Sequence, residues 1–220
     1  MSALLVTGTD TGCGKTYVAS LILRAAAQAG RKPGYFKPFE TGCPAGVGQL
    51  KSAELDTVMK LSGGAPGDRA SVPYRFALPV SPYTASMREG VRFDWNRLDE
   101  IVQRLVERSS PLVVEGAGGV LTPIEKEFTY IDLALRWKLP VVVVIGNRLG
   151  CINHARLTLD ALRAARVEVA ALVLNDLEGV TSPATQSNRW TLEAVLGRKI
   201  DVEVGEDIES AISDLRLLLQ

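Results

Sequence analysis

Little in this 220-residue chain leans to one side. Acidic and basic residues balance at 25 each, and no polybasic run occurs. Neither a nucleic acid nor a membrane has electrostatic support as a partner, so an anionic ligand must be held by local charges. No apolar run approaches the roughly 20 residues that span a bilayer. The opening residues 1–8 run straight into an apolar strand pattern, without the basic start and cleavage site of a signal peptide. Cysteine is scarce as well: Cys13, Cys43 and Cys151 are odd in number and have no metal-ligand spacing. That argues against a disulfide framework and for reduced thiols in a cytoplasmic protein. His154 is the only histidine, and no Ser or Cys nucleophile motif accompanies it. A hydrogen-bonded structural role suits it better than general-base chemistry.

What the chain does have is alternation. Short β-branched, apolar runs at 4–8, 33–37, 112–115, 141–145 and 169–174 read as strands. Segments of helical period lie at 15–29, 53–61, 95–108, 130–137, 151–165, 186–196 and 208–218. The run Val141-Val142-Val143-Val144-Ile145 is apolar at consecutive positions, as in a strand covered on both faces. Strands alternating with helices imply right-handed crossovers, and so an α/β domain over residues 1–220 with a mainly parallel central sheet flanked by helices. Gly30 stands where the first helix needs a residue of positive φ to stop. The stretch 72–91, with three prolines and three aromatic residues, reads as an ordered excursion covering a site or an interface.

In such a sheet, ligands bind beyond the carboxyl ends of the strands. The residues there are 9–16, 38–42, 116–122, 146–154 and 175–176, all rich in Gly, Thr, Asn or charge. The first, Gly8-Thr9-Asp10-Thr11-Gly12-Cys13-Gly14-Lys15-Thr16, follows a strand and opens a helix. Glycines let successive amides face one anion, and the helix N-terminus adds partial positive charge. This is a P-loop, with Lys15 for the outer phosphates of ATP and the Thr16 hydroxyl for Mg2+. It departs slightly from the strict pattern, because Thr9 stands where the first glycine is expected and Gly8 lies one residue earlier. Asp10 sets the chain apart from ATPases that partition plasmids or position division sites, which carry a second lysine there.

The other junctions carry charge too. Lys37 ends the second strand and is expected to meet an anion or an acidic residue, with Thr41-Gly42 near the same anion. Glu115 ends a central, buried strand, where a carboxylate commonly holds Mg2+ and an ion-pair role in the core is the lesser expectation. Lys15 and Lys37 are both expected outside the core. Glu54 and Asp56 open a helix, where either suits a hard cation or simply the helix dipole. Cys151, Ile152 and Asn153 start another helix, whose free amides suit a carboxylate. Asn175-Asp176 offers groups for a base edge, or an ordinary turn.

Together these segments resemble the dethiobiotin synthetases, the ATP-dependent cyclo-ligases of biotin synthesis. The matching pieces are 7–16, Lys37-Pro38 with Thr41-Gly42, Val114-Glu115-Gly116-Ala117-Gly118-Gly119, Leu149-Gly150-Cys151-Ile152-Asn153-His154-Ala155, and Asn175-Asp176. The resemblance implies that 7,8-diaminononanoate and carbon dioxide form a carbamate. ATP then phosphorylates the carbamate, and the second amine closes a cyclic urea. It implies Lys15, Lys37 and Thr11 at the carbamate and γ-phosphate, with Thr16, Glu115 and Glu54 (or Asp56) at Mg2+. Nucleotide contacts would come from Gly12, Cys13, Gly14, Lys15, Thr16, Tyr17, Glu115, Gly116, Ala117, Gly118, Asn175 and Asp176. Thr41, Gly118 and Gly119 would line the diamine site. A homodimer is implied in which Cys151, Ile152 and Asn153 of the second subunit bind the substrate carboxylate. The family's Gly-x-Ile-Pro segment beside the base is replaced here by Gly197-Arg198-Lys199-Ile200-Asp201, which leaves base selectivity open. Two other readings stand beside this one: another P-loop amidating ligase, and a P-loop ATPase switch.

Overall fold

The computed structural model describes residues 2–176, 179 and 181–219. The chain runs β1 (Ala3–Gly8), α1 (Lys15–Gln28), β2 (Gly34–Phe36), β3 (Phe39–Thr41), α2 (Ala53–Leu61), β4 (Ala70–Ser71), β5 (Tyr74–Phe76), α3 (Pro82–Glu89) and α4 (Trp95–Arg108). It continues through β6 (Leu112–Gly119), β7 (Pro123–Glu125), β8 (Phe128–Thr129), α5 (Tyr130–Arg136), β9 (Val141–Gly146) and α6 (Cys151–Ala164). It ends with β10 (Val169–Asn175), α7 (Pro183–Leu196), β11 (Val202–Val204) and α8 (Ile208–Leu218). Among the described residues, seven strands form one sheet in the order β11-β10-β9-β1-β6-β2-β4. Every pairing in it is parallel.

The side-chain period of a strand explains why both faces are covered. Leu5, Val114, Val143 and Leu172 pack on one face with residues of α4, α5 and α6 such as Leu98, Leu133 and Leu162. Their chain neighbours Val6, Val113, Val142 and Val173 pack on the other, against Ile22 of α1, Val58 of α2 and Leu215 of α8. A strand apolar at consecutive positions is thus buried twice, as the valine run implied.

The expected strands at 4–8, 141–145 and 169–174 and the helices at 15–29, 130–137 and 151–165 match to within one residue. The other departures have local causes. β6 reaches Gly119, past the expected 115: its ladder with β1 shifts register between Val6 and Gly8, which pairs Gly8 with Gly119, and Gly118 takes φ 67° within the irregular stretch. β2 is shorter than 33–37: Pro33 has no amide hydrogen to give, and Lys37 precedes Pro38. α7 begins at Pro183 rather than 186, with Ser182 capping it and accepting from the Thr185 amide. α3, inside the proline-rich excursion, starts the same way, with Ser81 as cap and Pro82 in its first turn. Proline at a first helical position supports a helix rather than breaking one. β11 escaped the sequence reading because Glu203 is exposed between buried Val202 and Val204 on a sheet edge.

Beside the main sheet, β3 pairs in parallel with β5. Phe39, Tyr74 and Phe93 stack beneath this pair, with Phe39 and Phe93 centroids 4.4 Å apart. The excursion is thereby anchored on the main core, and its residues 79–82 stand over the carboxyl ends of the strands, as one wall of a cleft.

Candidate active site

The cleft has a volume of about 760 Å³ and opens where β1, β2 and β6 end. Thr11, Gly12, Gly14, Lys15, Thr16 and Tyr17 form one side. Lys37, Thr41 and Glu54 form another, and Ala117, Gly118 and Thr122 a third. The loop takes this shape because glycine sits where a side chain cannot. Gly14, the residue before α1, has φ 92°, and a Cβ on Gly8 would lie 2.3 Å from Cys13 Sγ. Lys15 bends back, its ammonium donating to the Asp10 carbonyl at 3.2 Å. Asp10 accepts from the Thr11 amide at 2.7 Å and from Arg148 at 2.8 Å. It ties the loop to the start of α6, in place of a second lysine. His154 Nδ1 lies 4.0 Å from the same carboxylate.

The charged floor is more deeply buried than the sequence reading held. Lys37 is 1 % exposed and Lys15 8 %, so the expected position of both outside the core is corrected, although both line the cleft. Leaving β2 at the Pro38 boundary turns the Lys37 side chain under the cleft, where Glu115 and Glu54 compensate its charge. Glu115 is fully buried and is itself an ion-pair partner in the interior, the role given less weight from sequence. Its Oε1 accepts from Lys37 Nζ at 2.9 Å and from the Thr16 hydroxyl at 2.7 Å. Its Oε2 accepts from the Tyr35 hydroxyl at 2.9 Å. Burial by itself would push the Lys37 ammonium down, but Glu115 and Glu54 outweigh it and hold the value above the usual lysine range. Burial likewise opposes ionisation of Glu115, yet Lys37, Thr16 and Tyr35 hold its carboxyl below the usual range. For Glu54 burial wins, and its carboxyl sits above the usual range despite Lys37.

Of the two acidic candidates at the start of α2, Glu54 reaches the cleft, and Asp56 is exposed outside it. Tyr35 was missed from sequence; a tyrosine on β2 two residues before Lys37 points to the same face of the extended chain, which is the signal that would have found it. Gly116 packs against the Tyr130 ring, and Gly119 lines a separate depression near His154. Cys13 is buried behind the loop, and the Asn175 amide donates to its carbonyl at 2.9 Å. Asn175 Oδ1 and Asp176 Oδ1 are buried acceptors without a partner among the described residues, on the side of the loop away from Lys37. Cys151, Ile152 and Asn153 do not line the cleft within one chain; Cys151 is buried and Asn153 exposed. The charges of Arg198 and Lys199, where the base segment was expected, are spent on Asp201 and Glu193.

The residues fit a hard divalent ion in one specific way. The Thr16 proton is committed to Glu115, which leaves the hydroxyl lone pairs free toward the cleft. Among the described residues no group of three or more His, Cys, Asp or Glu is placed to hold a metal. An ion there would depend on Thr16, one carboxylate and phosphate oxygens, which is how Mg2+ is usually bound.

A family model described as an AAA domain matches residues 2–205. The ATP-dependent dethiobiotin synthetase of Serratia marcescens is 38% identical over 194 residues, covering 88% of this chain and 86% of that protein. The Aquifex aeolicus enzyme of that name is 35% identical over 218 residues, 96% of each chain. The chain belongs to the dethiobiotin synthetase family. As a dethiobiotin synthetase homologue it is an ATP-dependent ligase of biotin synthesis, catalysing ring closure. Solved structures show how widely the fold itself is shared. The MinC:MinD cell division complex of Aquifex aeolicus aligns with a TM-score of 0.61 at 14% identity, over 99% of this chain and 95% of that one. A ParA family ATPase from Chlorobium tepidum TLS gives 0.54 at 14%, over 100% and 92%.

Proposed function

We propose that this dethiobiotin synthetase homologue works as one domain, in the cytoplasm, on 7,8-diaminononanoate, carbon dioxide and Mg2+·ATP. The observation that carries the reading is the cleft itself: P-loop amides, Lys15 and Lys37 border one space beside Thr16. The P-loop amides 12–16 and Lys15 take the triphosphate, with Tyr17 flanking it. Asn175 Oδ1 and Asp176 Oδ1, buried acceptors without donors among the described residues, suit the amino group of a base.

Mg2+ would be held by Thr16 and Glu54, with Glu115 orienting the Thr16 hydroxyl from below. When bound it would neutralise phosphate charge. Phosphoryl transfer needs chiefly position and neutralisation, which two lysines at the γ-phosphate supply. Thr11 and Thr41 would hold the carbamate oxygens between them. The carbamate oxygen attacks the γ-phosphorus and ADP leaves; the second amine then attacks the carbonyl carbon, and phosphate departs as the ring closes. Ala117, Gly118 and Gly119 would let the diamine lie against backbone.

Cys151, Ile152 and Asn153, at the head of α6 and away from this chain's cleft, suit the substrate carboxylate of a second subunit in a homodimer. Phosphate release tests the reading: it is expected only with diamine, bicarbonate and Mg2+ all present. Equal release without the diamine would instead favour an ATPase switch.

A further inference from the structure

Glu40 is a buried carboxylate that none of these roles uses. It lies on β3, 2 % exposed, between Phe39 of the aromatic core and Thr41 at the cleft. Both of its oxygens are turned to the first turn of α2. Oε1 accepts from the Glu54 amide at 3.1 Å, and Oε2 accepts a short bond from the Ser52 hydroxyl. Ser52 in turn caps the helix, accepting from the Leu55 amide at 3.0 Å. Among the described residues no ion pair reaches Glu40. Its charge is therefore balanced only by hydroxyl, amide and the positive end of a nine-residue helix. A neutral residue would avoid the cost of burying that charge, so the arrangement is explained by what it holds.

What it holds is the backbone of Glu54, among the described residues the one acidic side chain that reaches the cleft wall. The linker 42–51 between β3 and α2 is rich in glycine and lies largely at the surface. It is closed by the Lys51 amide to the Pro44 carbonyl at 3.0 Å and the Ala45–Leu50 bridge. It is tied to the β5 side by the Gly42 and Cys43 amides, which donate to the Leu78 and Phe76 carbonyls, and by Arg75, which donates to the Leu50 carbonyl at 3.2 Å. Without Glu40, the start of α2 would be joined to the sheet by that linker, by the Lys37–Glu54 ion pair and by packing of Leu55 and Val58.

We infer that Glu40 is a positioning residue: it fixes the start of α2 so that the Glu54 carboxylate stands beside Lys37 and Thr16, where the cation binds. The inference rests on the proposed metal role of Glu54. Removing a partner one shell out from a metal ligand commonly costs 10–100-fold in metal affinity.

The test is Mn2+ affinity, read by the loss of the free-ion paramagnetic resonance signal, in the full chain with a non-hydrolysable ATP analogue. Glu40→Ala should weaken Mn2+ binding by roughly 10–100-fold. Glu40→Gln, which keeps one acceptor oxygen, should restore most of it. In a Glu54→Ala background, Glu40→Ala should cost nothing further, because the residue acts through Glu54. If Glu40→Ala does not fold, Ser52→Ala removes one donor of the same pair and should show a smaller loss with the same non-additivity. A Glu40→Ala protein with a lowered melting temperature and unchanged Mn2+ affinity would overturn the inference while leaving the metal role of Glu54 standing. Additive losses would overturn it too. Mn2+ affinity unmoved by Glu54→Ala would remove the metal role, and the inference with it.

Discussion

Lys37 Nζ lies 2.9 Å from Glu115 Oε1, both side chains almost wholly withdrawn from water. The pair joins the residue just past β2 to the middle of β6, directly beneath the cleft. A charge buried this way is tolerated only while its partner is present. The Lys37–Glu115 pair is therefore part of the fold as well as part of the site.

Glu115→Gln is expected to leave Lys37 with Glu54 alone. Loss of one partner from a buried pair costs about 3–5 kcal/mol. For a chain of this size that lowers the melting temperature on the order of 10 °C. Thermal unfolding followed by circular dichroism checks it; an unchanged transition would mean the pair contributes nothing.

Lys37→Ala and Lys15→Ala should part company. Both remove a charge from the cleft, and each is expected to cost roughly 10²–10³-fold in kcat/KM, as for a lost transition-state contact. Among the described residues the Lys15 ammonium bonds only to the Asp10 carbonyl, so Lys15→Ala should shift melting by no more than a few degrees. Lys37→Ala leaves Glu115 buried without its cation and should destabilise as Glu115→Gln does. Equal melting shifts for the two lysine variants would contradict this.

The two carboxylates should separate on acidification. Glu54, raised mainly by burial, takes up its proton at a higher pH than an ordinary carboxyl. Because its folded value is raised, that protonation does not weaken the fold, while it removes a ligand charge from the cleft. Glu115 is lowered, so its stabilising contribution is complete above the unfolded value of about 4.3 and fades only as the pH falls through its lower folded value. As the pH drops, Mn2+ binding should fail first and the fold later. Parallel titrations of Mn2+ affinity and melting temperature check this, and coincident loss would contradict it.

Gly118→Ala should damage the cleft rim. The residue has φ 67°, and an added Cβ would meet Thr122 Oγ1 at 2.5 Å. The left-handed conformation alone costs roughly 1–2 kcal/mol for an alanine. If Gly118 lines the diamine site, KM for the diamine should rise several-fold more than KM for ATP. Equal changes would place it elsewhere.

The sheet was largely legible because burial on both faces writes consecutive valines into β9, and the phosphate loop because only glycines permit its path. Helices that begin with Ser-Pro were harder: α3 lay hidden in the proline-rich excursion, and α7 starts at Pro183, three residues before the expected 186. The site residues legible in sequence were those just after strands. Which of Glu54 and Asp56 faces the cleft depends on the docking of α2 by Glu40, a contact between residues 14 apart that no periodicity reveals. The depth of Lys37 was misjudged for a similar reason. A lysine looks like surface until two distant carboxylates and a tyrosine are seen to enclose it.

The central claim is convergence: P-loop amides, two ammonium groups and a divalent ion on one triphosphate. Anomalous diffraction from crystals grown with Mn2+ and a non-hydrolysable ATP analogue tests it most directly. The account predicts a single manganese peak at coordinating distance from Thr16 Oγ1 and the β- and γ-phosphates, with Lys15 and Lys37 both within hydrogen-bond reach of the γ-phosphate. A triphosphate bound with Lys37 still closed on Glu115 and Glu54, and no manganese beside Thr16, would contradict it.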